Sequence, residues 1–177
     1  MAEQFDFAPD VIDAFEVFVH QYAEELTGFA LRLVPTEADA HDIVQQALPK
    51  LLVQWSGLQQ EPVAMAKTII RNLARDLLRK RRRGAEVLGI ELQDRPANVP
   101  GKDERVQKVY AVLHQLPERQ RATVALTLDG YGSGEVAEML GSTPATVRSN
   151  LRHAIGRLKE ALGIPQETTD GKEVADG

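Results

Sequence analysis

The chain has 177 residues, of which 43% are hydrophobic and 5% aromatic, and it contains no cysteine. This length suits one large domain or two small ones, and the missing cysteine excludes disulfides and thiolate metal or redox sites. Charged residues interrupt every apolar run well short of a membrane span, and the first ten residues do not resemble a secretory signal. We therefore expect a cytoplasmic protein without membrane insertion.

The formal net charge of −5 conceals a separation of charge along the chain. Residues 1–64 contain 2 Lys or Arg and 11 Asp or Glu, whereas residues 65–83 contain 8 and 1. A weaker basic block spans residues 105–163, with 8 basic and 5 acidic residues. Basic blocks in an acidic chain indicate local contact with a polyanion, although two solvated helical faces would give the same pattern.

Helical periodicity predicts two amphipathic helices in the acidic first part. The first covers residues 9–33, where apolar residues recur every three or four positions. The second begins with an approximate capping box formed by Thr36 and Asp39. Its interior proline, Pro49, removes a backbone hydrogen bond at a cost of roughly 3 kcal/mol. We therefore expect this helix to kink or to begin again near Leu48.

A third helix is predicted over about residues 62–83, and it carries most of the positive charge. Ala66, Ile70, Leu73 and Leu77 form its buried stripe. With the first two helices it forms a domain over residues 9–83. Its basic face contains Arg71, Asn72, Arg75, Arg79 and the run KRRR at 80–83.

The remaining chain divides into a linker, a second helical domain and a tail. Periodicity weakens over 84–104, where glycine, proline and acidic residues predict a flexible linker. It returns over 105–163, where a short helix ended by Gly141 and a helix capped by Thr143 form a helix-turn-helix. Residues 164–177 are predicted to be a disordered acidic tail. The sequence therefore predicts an all-α fold of two small helical domains.

The last helix, from Thr143 to Glu160, combines an apolar stripe with a cationic face. Val147, Leu151, Ile155 and Leu158 recur at helical spacing and are predicted to face the core. The second helix of such a motif enters the DNA major groove, where arginine can reach base edges or phosphates. The candidate DNA-reading residues are Thr146, Arg148, Ser149 and Arg152.

Three stretches of sequence, taken in their order along the chain, indicate a protein family more specifically than the helix-turn-helix does alone. They are DAHDIVQQAL at 39–48, IIRNLARDLLRKRRR at 69–83, and the region from LPERQ to KEAL at 116–162. Together they resemble the sigma-70 family of bacterial transcription initiation factors, in the small extracytoplasmic-function type that has only domains 2 and 4. The resemblance covers most of residues 11–162.

The resemblance implies a polymerase-binding role for the second helix and a role in promoter opening for the third. In the second helix, Asp42 and Gln45, with Asp39 beside them, match the Asp-x-x-Gln motif that binds core RNA polymerase. The third helix would engage and open the minus-10 element, since cations can hold separated strands by their phosphates. The residues implied there are Asn72, Arg75, Arg79 and Lys80.

For the last helix, the resemblance implies that it reads the minus-35 element through the candidate residues named above. At Asn150 the chain departs from the arginine that is frequent in the family, so we expect a different base preference there.

We interpret the chain as a dissociable specificity subunit of RNA polymerase and not as an enzyme. Its expected partners are core RNA polymerase and promoter DNA, and an anti-sigma protein is a further candidate. The four histidines lack metal-ligand spacing and catalytic companions, so no metal, cofactor or catalytic residue is expected. Two alternatives stay open: a stand-alone helix-turn-helix regulator that binds DNA without polymerase, and a helical module that only sequesters partners.

Overall fold

The computed structural model describes residues 8–58, 61–89 and 103–165. Within these ranges the chain forms seven α-helices, one short 3-10 turn at Trp55–Gly57, and no strand, which confirms the all-α prediction. None of the described helices has the length and apolar character needed to cross a bilayer. The helices are α1 (Pro9–Leu33), α2 (Glu37–Gln54), α3 (Pro62–Leu88), α4 (Glu104–Gln115), α5 (Glu118–Leu128), α6 (Ser133–Leu140) and α7 (Pro144–Leu162).

Helices α1, α2 and α3 pack around a core in which Leu26, Phe29, Leu51 and Ile70 are almost completely buried. Trp55, which directly follows α2, contacts Phe15 and Phe18 edge-on, with ring centroids 5.1 Å apart in both pairs. Edge-to-face contacts of this kind stabilise beyond the area that they bury. They fix the end of α2 against the start of α1.

Two helix boundaries differ from the prediction because packing overrides local propensity. Helix α2 continues through Pro49 to Gln54 without a new start, since Ala47 and Leu51 on either side of the proline are buried against the core. Helix α3 continues five residues beyond Arg83 and ends at Gly89, which has a φ of 63°. A helix tolerates an interior glycine such as Gly84 at a cost of about 1 kcal/mol. The linker therefore begins later than predicted.

Most of the predicted linker, residues 90–102, and most of the predicted tail, residues 166–177, lie outside the described residues.

The helix-turn-helix of α6 and α7 forms as the sequence predicts. Gly141 ends α6 in the left-handed conformation, with a φ of 57°. The Thr143 hydroxyl caps α7 by accepting the backbone N–H of Thr146 at 3.2 Å.

The buried stripe of α7 differs from the prediction at one position. Val147 is buried, and Leu151 and Leu158 pack against the core, as predicted. Ala154 is fully buried in place of Ile155, which is 42% exposed. The small alanine allows neighbouring helices to approach, so the larger side chain turns outward.

The first three helices and the last four pack against each other. Helix α1 contacts α4 and α5, and α3 contacts α6. Leu126 and Val136 belong to the same buried cluster as the core of α1–α3. His114 of α4 donates from Nε2 to the carbonyl oxygen of Leu31 in α1, at 3.0 Å. The two helical groups therefore share an apolar junction.

Candidate nucleic-acid interface

The outer face of α3 exposes most of the cations that the sequence assigns to nucleic acid. Arg75, Arg79 and Lys80 are exposed. Arg75 and Arg79 lie 3.7 and 3.5 Å from a carboxylate oxygen of Asp76, and such exposed pairs contribute little to stability. Asn72 is half-buried, and its side-chain oxygen accepts a 2.6 Å hydrogen bond from Arg71. Three of the four predicted residues are thus available to a polyanion.

The arginine run at the end of α3 is not uniform, because Arg81 turns toward α2. Its guanidinium donates to both carboxylate oxygens of Asp39, at 2.8 and 2.5 Å. The Asp39 carboxylate also accepts from the Thr36 hydroxyl at 2.5 Å, and the residue is 8% exposed. Asp39 therefore ties the start of α2 to α3, and this geometry favours a structural role for it. Arg82 and Arg83 remain exposed.

Asp42 and Gln45 present their side chains on the outer surface of α2. Both are exposed, and their spacing of three places them on one face of the helix. Gln45 also borders a groove between α1, α2 and α4, which includes Glu24, Val44 and Tyr110. The structure thus separates these two residues from Asp39, which the sequence had grouped with them.

The N-terminal half of α7 presents its candidate residues outward. Thr146, Arg148 and Arg152 are exposed, and Ser149 is half-buried. Arg148 and Arg152 are four residues apart and therefore share a face. Asn150 points to another side of the helix and lines a cavity at the junction with α3.

This junction cavity has a volume of about 110 Å³ and is lined by residues of both helical groups. Arg71 and Arg75 of α3 meet Arg119 of α5 there, with Glu118 beside them. The pKa of Arg71 is lowered, first by burial and then by the positive charge of Arg75, while Glu118 raises it and Arg119 lowers it further. This cluster could not be predicted from the sequence, because Arg119 lies far from Arg71 along the chain.

A second ionic cluster at the junction surrounds Lys67, whose side chain is 1% exposed. Its ammonium lies 2.6 Å from a carboxylate oxygen of Glu25 in α1 and 2.7 Å from one of Asp129, which follows α5. Asp129 also pairs with Arg32 of α1. The ring of Tyr131 lies 5.1 Å from the ammonium, within cation–π range. Carboxylate and aromatic groups thus enclose the charge.

The protonation of Lys67 follows from these neighbours. Burial alone would lower its pKa, but the contacts with Asp129 and Glu25 outweigh burial, and the pKa is raised. Burial also raises the pKa of Tyr131. The lysine is therefore held in its charged form, and an ion pair joins the two helical groups.

Among the described residues, no group of three or more His, Cys, Asp or Glu side chains is placed to hold a metal ion. The surfaces described above offer cations, amides and carboxylates for binding.

Comparison with known proteins identifies the family. A model of sigma-70 region 2 matches residues 18–84, and a model of sigma-70 region 4 matches residues 107–158. The RNA polymerase sigma-E factor of Streptomyces avermitilis is 31% identical over 154 residues, with 84% of each chain covered. The RNA polymerase sigma factor CarQ of Myxococcus xanthus is 29% identical over 159 residues, covering 85% of this chain and 90% of that protein.

A solved structure agrees with these matches. The sigma factor RpoE of Bartonella quintana, crystallised with the anti-sigma factor NepR, aligns with a TM-score of 0.74 at 25% identity. The alignment covers 86% of this chain and 99% of that one. The chain therefore belongs to the sigma-70 family of RNA polymerase sigma factors, in its extracytoplasmic-function type. It directs promoter-specific transcription together with RNA polymerase.

Proposed function

We propose that this sigma factor reads a two-part promoter with two separate surfaces, α3 at the minus-10 element and α7 at the minus-35 element. In this proposal α1–α3 form the domain that binds core polymerase, and α4–α7 form the second DNA-reading domain. The observation that carries the proposal is the location of the exposed cations. Arg75, Arg79 and Lys80 are exposed along α3, and Arg148 and Arg152 are exposed on one face of α7. The first 64 residues, by contrast, are strongly acidic.

The exposed basic face of α3 is better suited to binding the phosphates of separated DNA strands than to reading the bases. Arg75, Arg79 and Lys80 follow one another along the helix surface, so they can contact successive phosphates. The half-buried Asn72, already bonded to Arg71, contributes at the edge of this surface.

The face of α7 suits base reading in the major groove. Arg148 and Arg152 are exposed on the first turns of the second helix of a helix-turn-helix, which is the part that enters the groove. An arginine can bind O6 and N7 of guanine through two hydrogen bonds. Thr146 and Ser149 flank these arginines and can donate to phosphates or bases.

Core polymerase binding is assigned to Asp42 and Gln45 of α2. Both are exposed on one helix face, and Gln45 borders the groove between α1, α2 and α4. Asp39 supports this surface indirectly, because its contact with Arg81 fixes the start of α2. We expect Asp42→Ala with Gln45→Ala to weaken binding to core polymerase while the helical content stays unchanged. Unchanged affinity would show that the polymerase contact lies elsewhere.

The packed arrangement cannot serve both promoter elements at once. The elements are about 25 base pairs apart, or roughly 85 Å of B-DNA at 3.4 Å per pair. Here Asn150 of α7 and Arg71 of α3 line the same small cavity. Promoter binding therefore requires the two helical groups to separate, and polymerase holds them at the required distance.

The proposal extends to partners and location. The sigma factor acts without catalysis of its own, in the cytoplasm where bacterial polymerase and DNA meet. The structural neighbour was solved with an anti-sigma factor, which supports a similar inhibitor for this chain.

Reconstituted transcription tests the proposal against its alternatives. The full chain is mixed with purified core polymerase, and start sites are mapped on genomic fragments. We expect start sites that share two elements upstream, and none without the chain. A stand-alone regulator would bind DNA equally well without polymerase, and a sequestering module would give no start sites at all.

A further inference from the structure

The cavity between α3, α5 and α7 concentrates positive charge in a small, partly enclosed space. Arg71, Arg75 and Arg119 line it, and Glu118 is the one carboxylate among the described residues that do so. Arg71 donates to Asn72 at 2.6 Å, but its buried Nε has no hydrogen-bond partner among the described residues. The cavity lining therefore holds three guanidinium groups and one carboxylate, and Arg75 also lies 3.7 Å from a carboxylate oxygen of Asp76 outside it.

This charge is unfavourable for the packed arrangement. Guanidinium groups are not deprotonated in proteins, so the cluster cannot relieve its repulsion by losing a proton. Burial and the charges of Arg75 and Arg119 act against the charged form of Arg71, Glu118 favours it, and the pKa of Arg71 is lowered on balance. An anion between the arginines would turn mutual repulsion into shared attraction.

The size and the lining of the cavity define the anion. A volume of about 110 Å³ is well below the roughly 300–1,000 Å³ of pockets for drug-sized molecules, so only a small group can enter. Guanidinium groups match tetrahedral oxyanions through pairs of parallel hydrogen bonds. Ser142 and Asn150 add neutral polar groups from the helix-turn-helix.

We propose that this cavity binds a single phosphate group, which bridges α3 to α5 and α7. The group can come from free inorganic phosphate or from the end of a short nucleic acid. In either case it stabilises the packed arrangement of the two helical groups. The bound phosphate group would also compete with promoter DNA for Arg75. This consequence rests on the proposed function.

Thermal unfolding of the full chain tests the site. The melting temperature is measured in inorganic phosphate and in chloride at equal ionic strength and pH. At a phosphate concentration about tenfold above the dissociation constant, mass action predicts a rise in melting temperature of roughly 3–6 °C. Chloride should have no comparable effect.

Substitution of Arg119 distinguishes a phosphate site from a purely structural arginine by the direction in which the melting temperature changes. In phosphate-free buffer we expect Arg119→Gln to melt at or above the temperature of the original chain, because one repelling charge is gone. In phosphate it should gain nothing. A purely structural arginine would instead lower the melting temperature in both buffers, and that result would overturn the proposal.

Two further variants serve as a control outside the cavity and as a second test of the cavity arginines. Arg157→Gln removes an exposed charge from α7 outside the cavity and should keep the full phosphate response. Arg75→Gln should lose the response as Arg119→Gln does, so the site remains testable if one variant does not fold.

The source of the phosphate is distinguished with a short single-stranded oligonucleotide, used with and without a 5′-phosphate. A response to inorganic phosphate identifies the free anion, and a response only to the phosphorylated oligonucleotide identifies the nucleic acid end. No response to either, or a response that ignores the 5′-phosphate and persists in Arg119→Gln, would overturn the proposal. Because neither polymerase nor promoter is present, failure here leaves the proposed function unaffected.

Discussion

Asp129 joins the two helical groups, and its neutralisation gives the sharpest test of their packing. Its carboxylate pairs with Lys67, whose side chain is 1% exposed, and with Arg32 of α1. Asp129→Asn preserves the shape of the side chain and removes the charge. Glu25, whose side chain is 45% exposed, would then be the carboxylate that still pairs with Lys67. Arg32 would lose its ion pair with Asp129.

The expected cost follows from the burial of the lysine. Breaking a buried ion pair by removing one partner costs about 3–5 kcal/mol, because the other charge stays buried. Glu25 remains 2.6 Å from the ammonium and offsets part of this loss, so we expect about 2–3 kcal/mol. The lost free energy reduces the stability of the contact between the two helical groups. The equilibrium constant between the packed and the separated arrangement should therefore shift at least about 30-fold toward separation.

An energy-transfer assay can measure this separation, because the chain has no cysteine of its own. Lys50→Cys on α2 and Arg157→Cys on α7, both exposed, provide sites for a donor and an acceptor dye. We expect Asp129→Asn to shift the population toward lower transfer and to lower the free energy of unfolding.

The matched control is Glu138→Gln, an exposed α6 carboxylate that borders the groove beside Asp129 and forms no ion pair within the described residues. It should change the unfolding free energy by less than about 0.5 kcal/mol. If Asp129→Asn behaves like this control in both measurements, the ion cluster does not hold the groups together.

Two further predictions concern base reading and alkaline stability. Arg148→Ala should cost roughly 1–3 kcal/mol at one minus-35 position in transcription from a randomised promoter library, whereas Arg157→Ala should leave the base profile unchanged. The raised pKa values of Lys67 and Tyr131 mean that the folded chain holds these protons more tightly, so their stabilisation is complete below about pH 10 and is lost as pH rises further. Denaturant unfolding should therefore show stability falling above that pH, with a shallower fall in Lys67→Met; equal slopes would contradict the assignment to Lys67.

The helices were predictable where local chemistry decides the boundary. Thr36 and Thr143 cap their helices with their own hydroxyls, and Gly141 supplies a left-handed residue, so three boundaries can be read from neighbouring residues. Where packing decides the boundary, local sequence is a poorer guide. Of the kink or new start expected near Leu48, the new start does not occur, and α3 continues beyond Arg83. At Pro49, burial of the flanking residues outweighs the lost backbone bond, and local sequence does not reveal burial.

The exposed cations of α3 and α7 were also predictable, but the junction was not. Lys67 stands at the start of a basic block, and the charge pattern alone does not mark it as buried. One signal was available: Lys67 precedes Ile70 by three positions and Ala74 by seven, so it lies on the buried stripe of α3. Its partner Asp129 could not be found in this way, because the sequence gives no distance between residues so far apart.

The junction between the helical groups holds two ionic clusters of opposite effect. Around Lys67, carboxylates enclose a cation and favour packing. Around Arg71, three guanidinium groups line the cavity with one carboxylate, and their repulsion opposes packing. The stability of the packed arrangement is the difference between these contributions together with the apolar contacts. A two-state equilibrium needs about 5.5 kcal/mol of differential binding to pass from 1:99 to 99:1. The less stable the packed arrangement is, the less of this differential binding has to come from the contact with core polymerase that we propose along α2. The arginine cluster therefore makes the sigma factor easier to open, and the phosphate group proposed for the cavity would act against polymerase by removing that repulsion.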